Sequence, residues 1–220
     1  VATIFPEYDW VKEILGDQAD NVDLTLLLGN GTDMHSFQPT MEDILKVSTC
    51  DLFIYVGGES DSWVADALKG AGNPDRKAIN LMDVLGDQVK EEEIVEGMQD
   101  EDGHTHEEEH THDDDLEYDE HVWLSLKNAS LFCDTIASSL ADVDPEHSRL
   151  YQQNAEAYEE KLAALDQEYQ TLVEKSRSKT LLFADRFPFR YLTDDYNLTY
   201  YAAFAGCSAE TDASFETITF

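Results

Sequence analysis

Short apolar runs and amphipathic stretches take turns over the first 85 residues, and this alternation constrains the fold more than any single motif. "VATIF" reads as a strand, "YDWVKEILG" as a helix closed by Gly16, and "NVDLTLLLG" as the next strand. In "TMEDILKVSTC", Thr40 stands at the N-cap with Asp43 three residues on, a capping box with Asp in the Glu place. "DLFIYVGG" reads as a buried strand ended by a glycine pair, and "SDSWVADALKGAG" as a helix capped by Ser60 or Ser62. "KAINLMDVL" reads as a further strand. Strands alternating with helices predict an α/β fold with a mostly parallel sheet covered on both faces.

An acidic tract then interrupts the pattern. Residues 91–120 hold 16 Asp or Glu and four His, with no Lys or Arg. They lack periodicity, so the segment 91–118 is expected to be an exposed loop. Helical patterning resumes in "HVWLSLKNASLFCDTIASSLADV", with Leu126, Ser130, Cys133 and Ala137 marking one stripe. Asp144 and Pro145 open a long helix, expected over 143–177, with Tyr151, Tyr158, Leu162, Leu165, Tyr169 and Leu172 at helical spacing. That seam suits either a coiled coil or a helix backing two lobes. "TLLFADRF", "FRYLTDDYNL", "TYYAAFAGCS" and "SFETITF" follow as strand, helix, strand and helix. The expected organisation is an N-terminal α/β lobe over 1–142, the linking helix, and the start of a second, incomplete α/β lobe over 178–220.

The charge balance narrows the partners. With 48 acidic and 14 basic residues the formal charge is −34, a poor match for nucleic acid, which needs clustered Lys and Arg. Metal cations or basic partners suit such a surface better. Cys50, Cys133 and Cys207 are widely spaced, without a C-x-x-C pair, which argues against a thiolate zinc site and predicts three buried free thiols. No apolar run reaches membrane-span length and no signal peptide opens the chain, whose direct entry into a strand-like segment fits a processed N-terminus. Nucleophile elbows, phosphate loops and dinucleotide fingerprints are absent, so the chain does not read as an enzyme.

The histidines carry what chemistry there is. His35 lies in "GNGTDMHSFQPT", a loop after a strand, where parallel sheets place ligands; a solvated loop imidazole is the plainer alternative. His121 follows two carboxylates in "YDEHVWLSLKNA"; a neighbouring carboxylate can fix an imidazole tautomer for metal binding, or the segment can simply cap a helix. His104, His106, His110 and His112 alternate with acids in "HTHEEEHTH", either a weak accessory metal-capture run or a solvated charge run.

Taken in order, "TIFPEYDWVKEILG", "GTDMHSFQPTMEDILKVSTCDLFIYVGG", the acidic His-rich insert, "DEHVWLSLKNA", the long helix and "LLFADRFPFRYLTDDYNL" resemble the zinc/manganese substrate-binding proteins of ABC transporters, zinc-type members with a His-rich loop. The resemblance implies two α/β lobes joined by one long helix, with His35 and His121 as metal ligands from the N-terminal lobe. It further implies Zn2+ as the ion, with Mn2+ possible, a membrane permease as partner, an extracytoplasmic location and a monomer. The chain departs from the family where the third ligand is expected: Ala184 stands there, and Asp185, one position on, is the substitute candidate. Glu210 is an outside candidate for the fourth. The competing readings are a surface metal-buffering or adhesion protein on the same fold with a degraded site, and a metallohydrolase.

Overall fold

The computed structural model describes residues 1–29, 31–70, 72–98, 118–207 and 215–219. His104, His106, His110, His112 and Glu210 lie outside them. The chain divides into two compact units, each discontinuous in sequence: Val1–Asp87 with Leu126–Asp166, and Gln88–Ser125 with Gln167–Phe220. The fold is mixed α/β with short parallel sheets and a long helix. No helix among the described residues is long and apolar enough to cross a membrane.

In the first unit, β1 (Leu52–Tyr55) pairs in parallel with β2 (Lys77–Asn80). The strands expected at "VATIF" and "NVDLTLLLG" shrink to single parallel bridges, Ala2 to Leu26 and Ala2 to Ile54. The cause is local. Helix α1 (Phe5–Leu15) starts with Pro6 in its first turn, and the Glu7 carboxylate reaches back to accept the amides of Thr3 at 2.8 Å and Ile4 at 3.2 Å. Helix initiation at Ile4 therefore ends the strand-like segment, while the Thr3 amide is shared with the Ile54 carbonyl at 3.1 Å. Glu7 is fully buried, and burial pushes its carboxyl up to about 8.

Helix α2 (Met41–Thr49) carries the expected capping box: Thr40 Oγ1 accepts the Asp43 amide at 3.2 Å, and Asp43 accepts the Thr40 amide at 2.9 Å. Helix α3 is shorter than expected, Val64–Lys69, and neither Ser60 nor Ser62 caps it; Trp63 holds the N-cap position without a side-chain bond. The segment "KAINLMDVL" changes from strand to helix midway, because the Asn80 side chain accepts the amides of Met82 and Asp83 and starts α4 (Leu81–Leu85). Helix α5 (Leu126–Val143) buries Ala129, Phe132, Cys133, Ile136, Ala137 and Leu140, with Phe132 5.7 Å from Trp10 of α1. Leu126 and Ser130, expected on that stripe, are only half-buried.

Pro145 opens a 3₁₀ turn, Pro145–His147, before α6 (Ser148–Lys175) begins. Within the first unit α6 buries Tyr151, Ala155 and Leu162, and Asn154 donates to the Ile14 carbonyl at 2.9 Å. Further along, Leu165, Tyr169 and Leu172 are exposed.

The second unit is built on a β-α-β element. Strand β3 (Thr180–Phe187) pairs in parallel with β4 (Thr199–Ala205), and α7 (Arg190–Asp195) connects them. The register slips between Phe183 and Arg186, at Ala184 and Asp185. Phe187 stacks on Tyr200 at 3.6 Å, with Phe183 and Phe189 alongside, so aromatic rings supply most of this core. The acidic tract, expected as loop from residue 91 to 118, closes on itself at its two ends through the antiparallel bridge Glu91–Tyr118. Helix α8 (Phe215–Thr219) is short.

Of the three cysteines, all free, only Cys133 is buried; Cys50 and Cys207 are half-buried, which corrects the expectation of three buried thiols.

Candidate functional site

In the first unit, His35 sits on a 3₁₀ turn, Met34–Ser36, whose N-cap Asp33 accepts the His35 amide at 3.0 Å. An Asp that folds back on the amide two residues ahead is a common way to pin a loop without a sheet. The imidazole Nδ1 lies 3.0 Å from Ser60 Oγ. Both residues stand in loops that follow parallel-bridged backbone, His35 after the segment at Leu26 and Ser60 after β1, where ligand groups gather in open α/β sheets. Ser60 lies three residues before the N-cap of α3, and its hydroxyl faces the imidazole.

In the second unit, His121 is buried at 6% exposure at the N-cap of the 3₁₀ turn Val122–Leu124. Asp119 Oδ1 accepts twice from it, from the backbone amide at 2.8 Å and from Nδ1 at 3.1 Å. A carboxylate only accepts, so Nδ1 carries the proton and the ring lone pair sits on Nε2. Asp119 is itself fixed, because its amide donates to the Lys90 carbonyl at 2.9 Å and its carbonyl accepts the Tyr191 hydroxyl at 2.9 Å. Burial pushes the Tyr191 phenol up to about 12, so it remains a donor throughout the physiological range. An imidazole aimed by a carboxylate that is itself anchored is the usual support of a metal-binding histidine.

A residue that sequence spacing did not single out lies beside His121. Cys207 follows β4 directly, and its sulfur and an imidazole nitrogen of His121 lie within 4.8 Å. The Cys207 amide donates to Glu92 Oε1 at 2.8 Å. Burial raises the thiol's pKa, with the Glu92 carboxylate adding to the shift. The signal available was the glycine before it in "AAFAGCS". A Cβ on Gly206 would stand 2.8 Å from the Phe187 carbonyl and 3.3 Å from the His121 ring, so only glycine lets the strand end pass this close.

Asp185, the substitute for the third ligand, is exposed in the β3 irregularity and accepts the Arg186 amide at 2.8 Å. Ala184 is exposed beside it. Among the described residues, the metal-capable group that includes His121 contains Cys207 and does not contain Asp185.

The family described as ZnuA, zinc-uptake complex component A, periplasmic, matches residues 1–220. The chain is 33% identical over 218 residues to the zinc-binding lipoprotein AdcA of Streptococcus pneumoniae serotype 4, covering 97% of this chain and 40% of that protein. It is 31% identical over 214 residues to the high-affinity zinc uptake system protein ZnuA of Bacillus subtilis, covering 97% and 63% respectively. The chain thus spans less than two thirds of either relative. The crystal structure of the Zn(II)-bound ZnuA-like domain of Streptococcus pneumoniae AdcA superposes with a TM-score of 0.73 at 27% identity, over 99% of this chain and 70% of that one. From its first residue to its last, this chain belongs to the family of the periplasmic zinc-uptake component ZnuA.

Proposed function

We propose that the chain captures a divalent metal ion outside the cytoplasm, zinc before manganese, and hands it to a membrane ABC permease. His35 and His121 are the proposed ligands, each through Nε2, and the chain works as a monomer. The observation that carries this reading is the buried, carboxylate-ordered imidazole of His121, its Nδ1 held at 3.1 Å by Asp119. The donor chemistry fits: neutral imidazole is a borderline ligand that zinc accepts readily, and zinc needs few ligands in a tight shell. Two imidazoles leave coordination positions for other donors or water, which suits an ion that must be released again. Asp185, exposed and accepting the Arg186 amide through Oδ1, remains the carboxylate candidate of the proposal, with Oδ2 open to an ion.

The acidic histidine run from His104 to His112 is proposed as an accessory that raises the local metal concentration through many weak contacts. Deleting residues 100–115 then lowers uptake at limiting zinc while leaving the tight site intact; unchanged uptake removes this role.

The test is a zinc titration of the whole chain against a chromogenic chelator, repeated with His35→Ala and His121→Ala. One tight zinc per chain, lost in both variants, is the expected result. Several weak zinc ions that disappear only when the histidine run is deleted would instead make the protein a metal buffer.

A further inference from the structure

We propose that Cys207 donates a thiolate to the same ion that His121 holds, giving the site a sulfur ligand in place of the carboxylate expected from the sequence. This rests on the metal-binding reading above and names a further ligand for it.

Three features of the second unit support it. The Cys207 sulfur and a His121 ring nitrogen lie within 4.8 Å. Zinc bonds of about 2.0 Å to nitrogen and about 2.3 Å to sulfur put the two donors about 3.5 Å apart in a tetrahedron, so closure onto an ion asks for a shift of at most about 1.3 Å. The approach is also built. β4 and β3 are parallel, and their ends meet where Gly206 runs against the Phe187 carbonyl and the His121 ring, a passage that a single added Cβ would block. Cys207, in the turn just after β4, is held by its own amide on Glu92 at 2.8 Å. Finally, the alternative carboxylate, Asp185, is exposed and lies outside the group of donors that contains His121 and Cys207.

The chemistry is a ligand exchange. The thiol S–H bond breaks, the proton leaves to bulk water, and the sulfur lone pair forms the metal–sulfur bond with no change in oxidation state. The consequence is selectivity: thiolate favours zinc, whereas oxygen donors suit manganese. An imidazole–thiolate pair therefore makes the site a zinc site more decisively than two imidazoles and a carboxylate would.

Cobalt(II) reports the bond directly. Loading the full chain with half an equivalent of Co2+ should give the near-ultraviolet thiolate-to-cobalt charge-transfer band together with strong visible tetrahedral bands. Cys207→Ser should lose the charge-transfer band, keep the visible bands in weaker form, and bind zinc about a hundredfold more weakly with Mn2+ affinity changed by less than about twofold. The double variant Cys50→Ala/Cys133→Ala should keep the band. One-to-one cobalt binding without the band, or zinc affinity unchanged in Cys207→Ser, overturns the thiolate while leaving the imidazole site standing. No stoichiometric binding of cobalt or zinc by the unaltered chain overturns both.

Discussion

The two imidazoles proposed as ligands are held in different ways. His121 is buried, and one carboxylate oxygen of Asp119 grips both its backbone and its ring, while Lys90 and Tyr191 fix Asp119 in turn. His35 is half-buried on a three-residue turn; its backbone is held by Asp33 and its ring meets the neutral hydroxyl of Ser60. A charged partner makes the stronger hydrogen bond and so holds an imidazole more firmly than a neutral hydroxyl does. On the proposed ligand set, the difference predicts a larger share of the affinity for His121 and a more adaptable role for His35.

The comparison breaks first at His121. His121→Ala is expected to weaken zinc by at least about a thousandfold, about 4 kcal/mol, measured by chelator competition. A loss no larger than that of His35→Ala would erase the asymmetry. Asp119→Asn keeps the shape but removes the charge, and should cost about 10- to 100-fold in zinc affinity. If Asp119→Asn binds zinc as tightly as the unaltered chain, the carboxylate is only a loop staple.

The unit that carries His35 has its own pH signature. Glu7 is pushed up to about 8 in the folded state from an ordinary value of 4.5, chiefly by burial, so the folded chain holds a proton that the unfolded chain has already released. Its stabilising contribution is fully present below about pH 4.5 and is lost as pH rises toward 8, with a slope near 1.4 kcal/mol per pH unit. Urea unfolding of the first unit should therefore lose about 2 kcal/mol between pH 6 and pH 8, and Glu7→Gln should flatten that dependence. A slope unchanged by the substitution would assign the pH effect to other groups. The smallest effect belongs to Ser60→Ala, which removes one neutral hydrogen bond worth about 1 kcal/mol and should lower zinc affinity only a few-fold. A loss matching that of Asp119→Asn would make the two imidazole supports equivalent.

Much of this was legible from local chemistry. The Thr40–Asp43 box, β1, the long helix (though it starts at Ser148 and not at Pro145) and the β3–α7–β4 order follow from caps, periodicity and strand composition acting over a few residues. Where structure and expectation part, side-chain hydrogen bonds redirect the backbone over a few residues. α3 begins only at Val64, which leaves Ser60 outside the cap, Glu7 draws the amides of Thr3 and Ile4 toward the start of α1, and the Asn80 side chain turns a continuous apolar run into α4. Local signals, a loop after a strand and a preceding pair of acids, marked His35 and His121 only as candidates; their pairing as ligands is what the family resemblance implies. The proximity of Cys207 to His121 was not readable, since no spacing rule links residues brought together by a strand end and a glycine passage. A search for paired cysteines passes over a single thiol that meets a histidine.

X-ray absorption at the zinc edge of the one-to-one complex tests the central claim most directly. The account predicts a shell with two imidazoles, their nitrogens at about 2.0–2.1 Å, and one sulfur at about 2.3 Å, with one imidazole lost in His35→Ala or His121→Ala. An imidazole count that stays the same in both variants would contradict it.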